Sequence, residues 1–106
     1  MSTATLVIDD LPVAPGEAAA RYYDRWAGEA LRLALAPDTE LLVVLFGAGD
    51  YTHAEWRRVA VAALARQIAP RRVCALAGGG DAARADALAF LSRAPGVTGQ
   101  YLELTD

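Results

Sequence analysis

Apolar and polar positions along this chain switch repeatedly between two rhythms, short unbroken apolar runs and longer stretches with a helical period. Thr5 to Leu11 is an apolar run ending near Asp9-Asp10, which predicts a buried strand; Pro12 and Pro15-Gly16 punctuate it. From Glu17 to Ala36 the period turns helical. Glu17, Arg21, Asp24, Arg25, Glu29 and Arg32 fall on one stripe, and Tyr22, Tyr23, Trp26, Ala30, Leu31 and Leu33 cover the rest. Pro37-Asp38 ends that helix. Glu40 to Phe46 is continuously apolar after its first residue, as expected of a strand covered on both faces of a parallel sheet.

After a Gly47-Ala48-Gly49-Asp50 turn, a second helix is predicted from Thr52 to Ala69. Thr52 is its expected cap, Glu55 stands at capping-box spacing, and Pro70 is the stop. Arg72 to Ala77 reads as a third strand and Gly78-Gly79-Gly80 as a turn. Asp81 is the expected N-cap of a helix to Arg93, and Gln100 to Leu104 is the last strand. The order βαβαβαβ with short turns predicts one α/β domain over residues 1–106, with four mainly parallel strands and three helices.

The second helix departs from the ordinary pattern, because Val59 to Ala65 is apolar without interruption. Val61, Leu64 and Ile68 share a face that suits the sheet, which leaves Trp56, Val59, Ala60 and Ala63 pointing elsewhere. A helix apolar all round needs cover all round. The first helix, through Tyr22, Tyr23 and Trp26, supplies part of it, and a second subunit is expected to supply the remainder. The expected association surface is therefore Tyr22, Trp26, Trp56, Val59, Ala60 and Ala63.

Composition narrows the chemistry. Hydrophobic residues at 55% and charged residues at 22% are those of a globular chain. A net charge of −3 and scattered basic residues argue against nucleic acid. All ten basic residues are arginines, so no lysine is present for a phosphate loop, a Schiff base or proton transfer. One histidine and one cysteine make a metal site improbable, and Cys74, inside an apolar run, reads as a small buried hydrophobe. No signal-like segment opens the chain and no apolar run approaches the ~20 residues of a membrane span, so a cytoplasmic location is expected. Heavy alanine and arginine usage suggests a bacterial source.

The tail, Phe90-Leu91-Ser92-Arg93-Ala94-Pro95-Gly96-Val97-Thr98-Gly99-Gln100-Tyr101-Leu102-Glu103-Leu104, resembles the end of a short-chain dehydrogenase/reductase. Ala63-Leu64-Ala65-Arg66-Gln67-Ile68-Ala69-Pro70 is similar to that family's A-L-A-x-E-L-A-P. Arg72-Val73-Cys74-Ala75-Leu76-Ala77-Gly78-Gly79 stands where R-V-N-A-I-A-P-G would be. Upstream of Ala62 the likeness is one of pattern only. The resemblance implies a half-Rossmann domain matching the family's last four strands, without the phosphate loop of the first half. It also implies loss of the catalytic set. The family's serine falls in the Gly47-to-Gly49 turn, and the Y-x-x-x-K tyrosine is approached only by Tyr51, one place out of register with Glu55 four residues on. The structural asparagine has no counterpart, since the chain contains none. In the family, the helices matching Glu17–Ala36 and Thr52–Ala69 form a four-helix bundle with a neighbouring subunit. The expected partner is another copy or a full-length short-chain dehydrogenase, and no cofactor is expected.

Gly47-Ala48-Gly49 before a helix invites a dinucleotide reading, but the third glycine is replaced by Thr52 and no acidic residue stands about 20 positions on; a tight turn is expected. Asp9-Asp10 suggests a magnesium-binding receiver-type pair, yet the second aspartate and the lysine of such domains are missing. His53, near Asp50 and Glu55, has no nucleophile to serve and is expected at the surface. The leading reading is a non-catalytic, cytoplasmic half-domain acting by association, with no nucleic-acid or membrane role. The alternative is a small-molecule or nucleotide binding protein, or unusual enzyme, using the strand C-terminal ends at Asp9, Asp10, Gly47, Gly49, Asp50, Gly78 and Gly79. A relic domain without a specific partner is a third possibility.

Overall fold

A computed structural model describes residues 2–105. Four strands form one parallel sheet in the order β1-β2-β3-β4, with β1 at Ser2–Ile8, β2 at Thr39–Phe46, β3 at Arg72–Gly78 and β4 at Tyr101–Leu104. The helices are α1 (Pro15–Arg21), α2 (Ala27–Ala34), α3 (Tyr51–Ile68) and α4 (Asp81–Ser92). A π-helical turn, Tyr22–Trp26, joins α1 and α2 into one continuous stretch, so the expected βαβαβαβ order with three helical units holds. β1 begins and ends earlier than the sequence suggests, because Asp9 to Pro12 leave the sheet.

Strand residues alternate between two cores. Leu42, Val44, Phe46, Val73, Ala75, Ala77 and Tyr101 face the helical layer formed by α1, α2 and α3. Leu41, Val43, Leu45, Cys74 and Leu76 face α4 through Leu91, Ala87 and Leu88. β2 is thus buried on both faces, as its unbroken apolar run requires, and each such large side chain contributes about 1.5–3 kcal/mol. Strand order advances in one direction while α4 lies opposite the other helices. The third crossover therefore has the opposite hand to the first two, so the right-handed rule cannot hold for all three.

Two adjacent arginines close the helix C-termini. Arg71 Nη1 donates to the carbonyls of Ala34, the last residue of α2, and Ala36 just past it, at 3.1 and 2.9 Å. Arg72 Nη1 donates to Leu91, Ala94 and Val97 carbonyls at the end of α4, while Nε and Nη2 fork onto Glu40 at 2.7 and 2.9 Å. The carbonyls at a helix C-terminus lack a full set of intrahelical partners, and cations suit that end of the helix dipole. The Val97-Thr98-Gly99-Gln100 turn works by similar docking. Gly99, with φ of 73°, donates its amide to the Val73 carbonyl at 2.7 Å, and Gln100 accepts from the Ala75 amide at 2.8 Å.

Candidate functional site

Two regions come out of this scaffold, an outer helical face and a cleft at the strand ends. The outer face is formed where α3 lies beside the α1–π–α2 stretch. Val61, Leu64 and Ile68 are buried toward the sheet, as expected. Ala60 is 3% exposed and Tyr22 4% exposed, both inside the core; their expected place on an association surface is corrected by cover from the chain itself. Burial raises the Tyr22 phenol to about 12, with neighbouring Tyr23 adding to the shift. The residue that stands out is Tyr23, 54% exposed, one position along from the expected aromatic.

Trp26 is half-buried and committed elsewhere. Its Nε1 donates to Asp10 Oδ1 at 2.9 Å, and Arg25 lies 5.4 Å from its ring centre. Trp56 is half-buried against Tyr22 and Phe46, with ring centres at 5.6 and 5.7 Å. Along one side of α3 an exposed stripe runs through Thr52, Glu55, Val59, Ala63, Arg66 and Gln67, with Val59 58% exposed. Tyr23 lines two shallow grooves between the helices. One, of about 370 Å³, runs over Ala19 and Val59, and the other, of about 260 Å³, over Gly28 and Ala63.

The cleft, of about 310 Å³, lies beyond β1 and β2 and is lined by Asp9, Gly47, Gly49, Asp50, His53 and Arg57 among others. Register explains the convergence: Ile8 pairs with Phe46 and Phe46 with Ala77, so the chain leaves these strands at one level. Asp50, not Thr52, caps α3. Its Oδ1 accepts from the Thr52 amide at 2.9 Å and from the Thr52 hydroxyl, and these bonds hold its carboxyl below the ordinary range. Helix α4 likewise starts at Asp81 with Gly80 as its cap residue, so Asp81 lies one place inside its expected position.

His53 is buried, which corrects its expected surface position. Nε2 lies 2.9 Å from the Val13 carbonyl and Nδ1 accepts from Trp56 Nε1 at 3.2 Å, which places the ring proton on Nε2. Asp10, expected to face a ligand, instead anchors the helical layer: besides Trp26, its backbone carbonyl accepts from Arg21 at 2.6 Å, and Arg25 lies 3.5 Å from its carboxylate. Gly78 and Gly79 take positive φ to turn the chain and do not line the cleft. A Cβ on Gly79 would stand 2.8 Å from Leu104 Cβ. Tyr51 is 85% exposed and outside the cleft lining.

Arg57 was absent from the residues singled out by sequence. It is 4% exposed, and Nη1 donates to the Gly47 carbonyl at 3.0 Å and the Tyr101 hydroxyl at 3.1 Å. Its Cζ lies 4.6 Å from the Phe46 ring centre, while Nε is buried without a hydrogen-bond partner. Cys74 is buried, and desolvation pushes its thiol up. Among the described residues no group of three or more His, Cys, Asp or Glu side chains could hold a metal ion. No helix there is long and apolar enough to cross a membrane.

A family model described as short chain dehydrogenase-like protein matches residues 6–104. The match extends the likeness well upstream of the motifs that begin at Ala62. No curated protein and no solved structure matches the chain.

Proposed function

The chain belongs to the short chain dehydrogenase-like family, and on that premise we propose that it is a non-catalytic member working by association with a second copy of itself through the outer face of α1 and α3. The observation that carries this reading is the exposed stripe of Val59 and Ala63 beside Tyr23, an apolar surface with small side chains that permit close helix approach. The stripe is also self-complementary. An antiparallel pairing about a two-fold axis midway between Val59 and Ala63 sets each against the other residue of the partner copy. It also brings Glu55 of one copy toward Arg66 and Gln67 of the other. An isologous interface needs this kind of internal match.

The absence of catalysis rests on residue identity. Hydride-transfer chemistry of the family's kind requires a positioned proton donor, and the chain has no lysine. Gly47 to Gly49 occupy the turn where the family's serine would be, and Tyr51, the nearest tyrosine, lies outside the cleft.

Light scattering tests the association. The wild type is expected at twice the chain mass of 11.2 kDa, and Val59→Glu with Ala63→Glu is expected to return it to a single chain with unchanged helix content. A wild type that stays at one chain mass at high concentration contradicts the reading. Ala60 is unsuited to this test because a charge there meets the core.

A further inference from the structure

We propose that, when two copies meet through the helical face, the Tyr23 ring of each seats in a hole on the other that is floored by Gly28, Ala60 and Ala63. This inference rests on that association and names the residues that give it specificity. Gly28 is the observation that points there. It lies in α2, inside the continuous helical stretch, with no left-handed backbone to require a glycine. A Cβ placed on it would meet nothing of its own chain within 4 Å. Glycine is the poorest helix former after proline, so this position weakens the helix without any need arising from within the chain. Gly79 makes the contrast, since its positive φ and a Leu104 Cβ 2.8 Å from the added carbon both explain it internally. A glycine that keeps a helix surface low lets another group approach the backbone closely.

Hole and ring also lie where a two-fold pairing needs them. The hole, of about 260 Å³, sits between α2 and α3, and apart from two tyrosine rings its polar lining is Gln67. A cavity on the order of 150 Å³ holds a benzene ring, so one phenol ring fits, with its hydroxyl beside the Gln67 amide. A tyrosine hydroxyl leaving water needs such a partner. Tyr23 is exposed, and it is steadied by edge-to-face contact with Tyr22, ring centres 5.1 Å apart. It separates this hole from the one over Ala19 and Val59, so along α3 it stands between Val59 and Ala63. A two-fold axis midway between those residues passes close to Tyr23 and turns the Val59 end of one copy onto the Ala63 end of the other. Two rings cannot share the axis, so each moves into a hole beside it. The hole over Val59 carries Thr52 and Glu55, polar groups that would lose water beneath a ring. The hole over Gly28 has no charged lining residue, and it receives the ring.

Sedimentation equilibrium of the full chain measures the dissociation constant of the pair. Tyr23→Ala is expected to raise it by about tenfold or more, as removal of a buried interface tyrosine does. Gly28→Leu fills the hole from its own side. It is expected to raise the constant at least as much, while the helix content and melting temperature of the dilute chain do not fall. With ring and hole both removed, the double variant is expected to associate more tightly than Gly28→Leu alone, a coupling that independent sites do not show. Should Tyr23→Ala lose helix content for want of its contact with Tyr22, Gly28→Leu decides alone. Gly28→Leu pairing as tightly as a wild type that Val59→Glu separates, or losses that simply multiply in the double variant, would overturn the seat and leave the helical-face reading standing. A wild type that stays single at high concentration overturns both.

Discussion

Arg72 and Glu40 show how a single pair ties several elements together. The fork between them holds the Glu40 carboxyl below its ordinary value of 4.5 and raises the arginine, and the same guanidinium closes the end of α4. A carboxyl with a lower folded-state value contributes stability that is complete above its unfolded value. That contribution is lost as pH falls through the lower folded one. Urea unfolding from pH 6 to pH 3 is therefore expected to show a fall in midpoint beginning near the ordinary carboxylate value. Glu40→Gln should flatten part of that fall and lower the plateau above it; an unchanged slope contradicts the assignment. At this scale the sequence was only partly legible. Cys74 sits in the core as its apolar run implied. His53 looked like a surface residue because Asp50 and Glu55 are near it in sequence, but its actual partners are Val13, 40 residues away, and Trp56. Arg57 carried no signal at all, since an arginine followed by Arg58 early in a helix reads as solvated, and only the arrival of Tyr101 and Phe46 encloses it.

At the scale of elements, hydrophobic runs and Gly/Pro punctuation were enough to place all four strands and the helical stretches, because period and breakers are local properties. Caps and phase were less readable. Thr52 and Asp50 both have capping side chains, and the choice falls on Asp50, whose extended backbone and Oδ1 bond to the Thr52 amide set the start of α3 at Tyr51. Asp50→Ala is expected to cost about 1 kcal/mol of stability, read as a shift of the denaturant midpoint at neutral pH; no shift would mean that the helix start is held by packing alone. The π-helical turn at Tyr22–Trp26 alters the helical phase. The sequence pattern grouped Tyr22, Tyr23 and Trp26 on one apolar side, whereas the structure puts Tyr22 inside, below Ala18, and Tyr23 out. The error in the association surface lies in both stretches: Tyr22 faces inward, and on α3 Ala60 is covered by the chain itself, while Val59 and Ala63 do lie outward.

For the molecule as a whole, the parallel sheet with helical cover follows from alternation of elements, and the family match over residues 6–104 agrees with the likeness that the tail motifs carried. Position in space decides the rest. The two cores take alternate residues of β2 and β3, α4 covers one and the remaining helices the other, and the C-terminal strand ends stand at one level. This arrangement gives the helical face and the strand-end cleft different lining residues. The helical face is the central claim, and cross-linking tests it most directly because buried Cys74 leaves the surface free of native thiols among the described residues. In an equal mixture of Val59→Cys and Ala63→Cys chains under mild oxidation, the account predicts a disulfide joining the two variants at twice the single-chain mass, with little self-linking of either alone. If the mixture stays at one chain mass, or links no better than a mixture bearing cysteines at exposed positions on α4, the face does not meet its own copy and the account is contradicted.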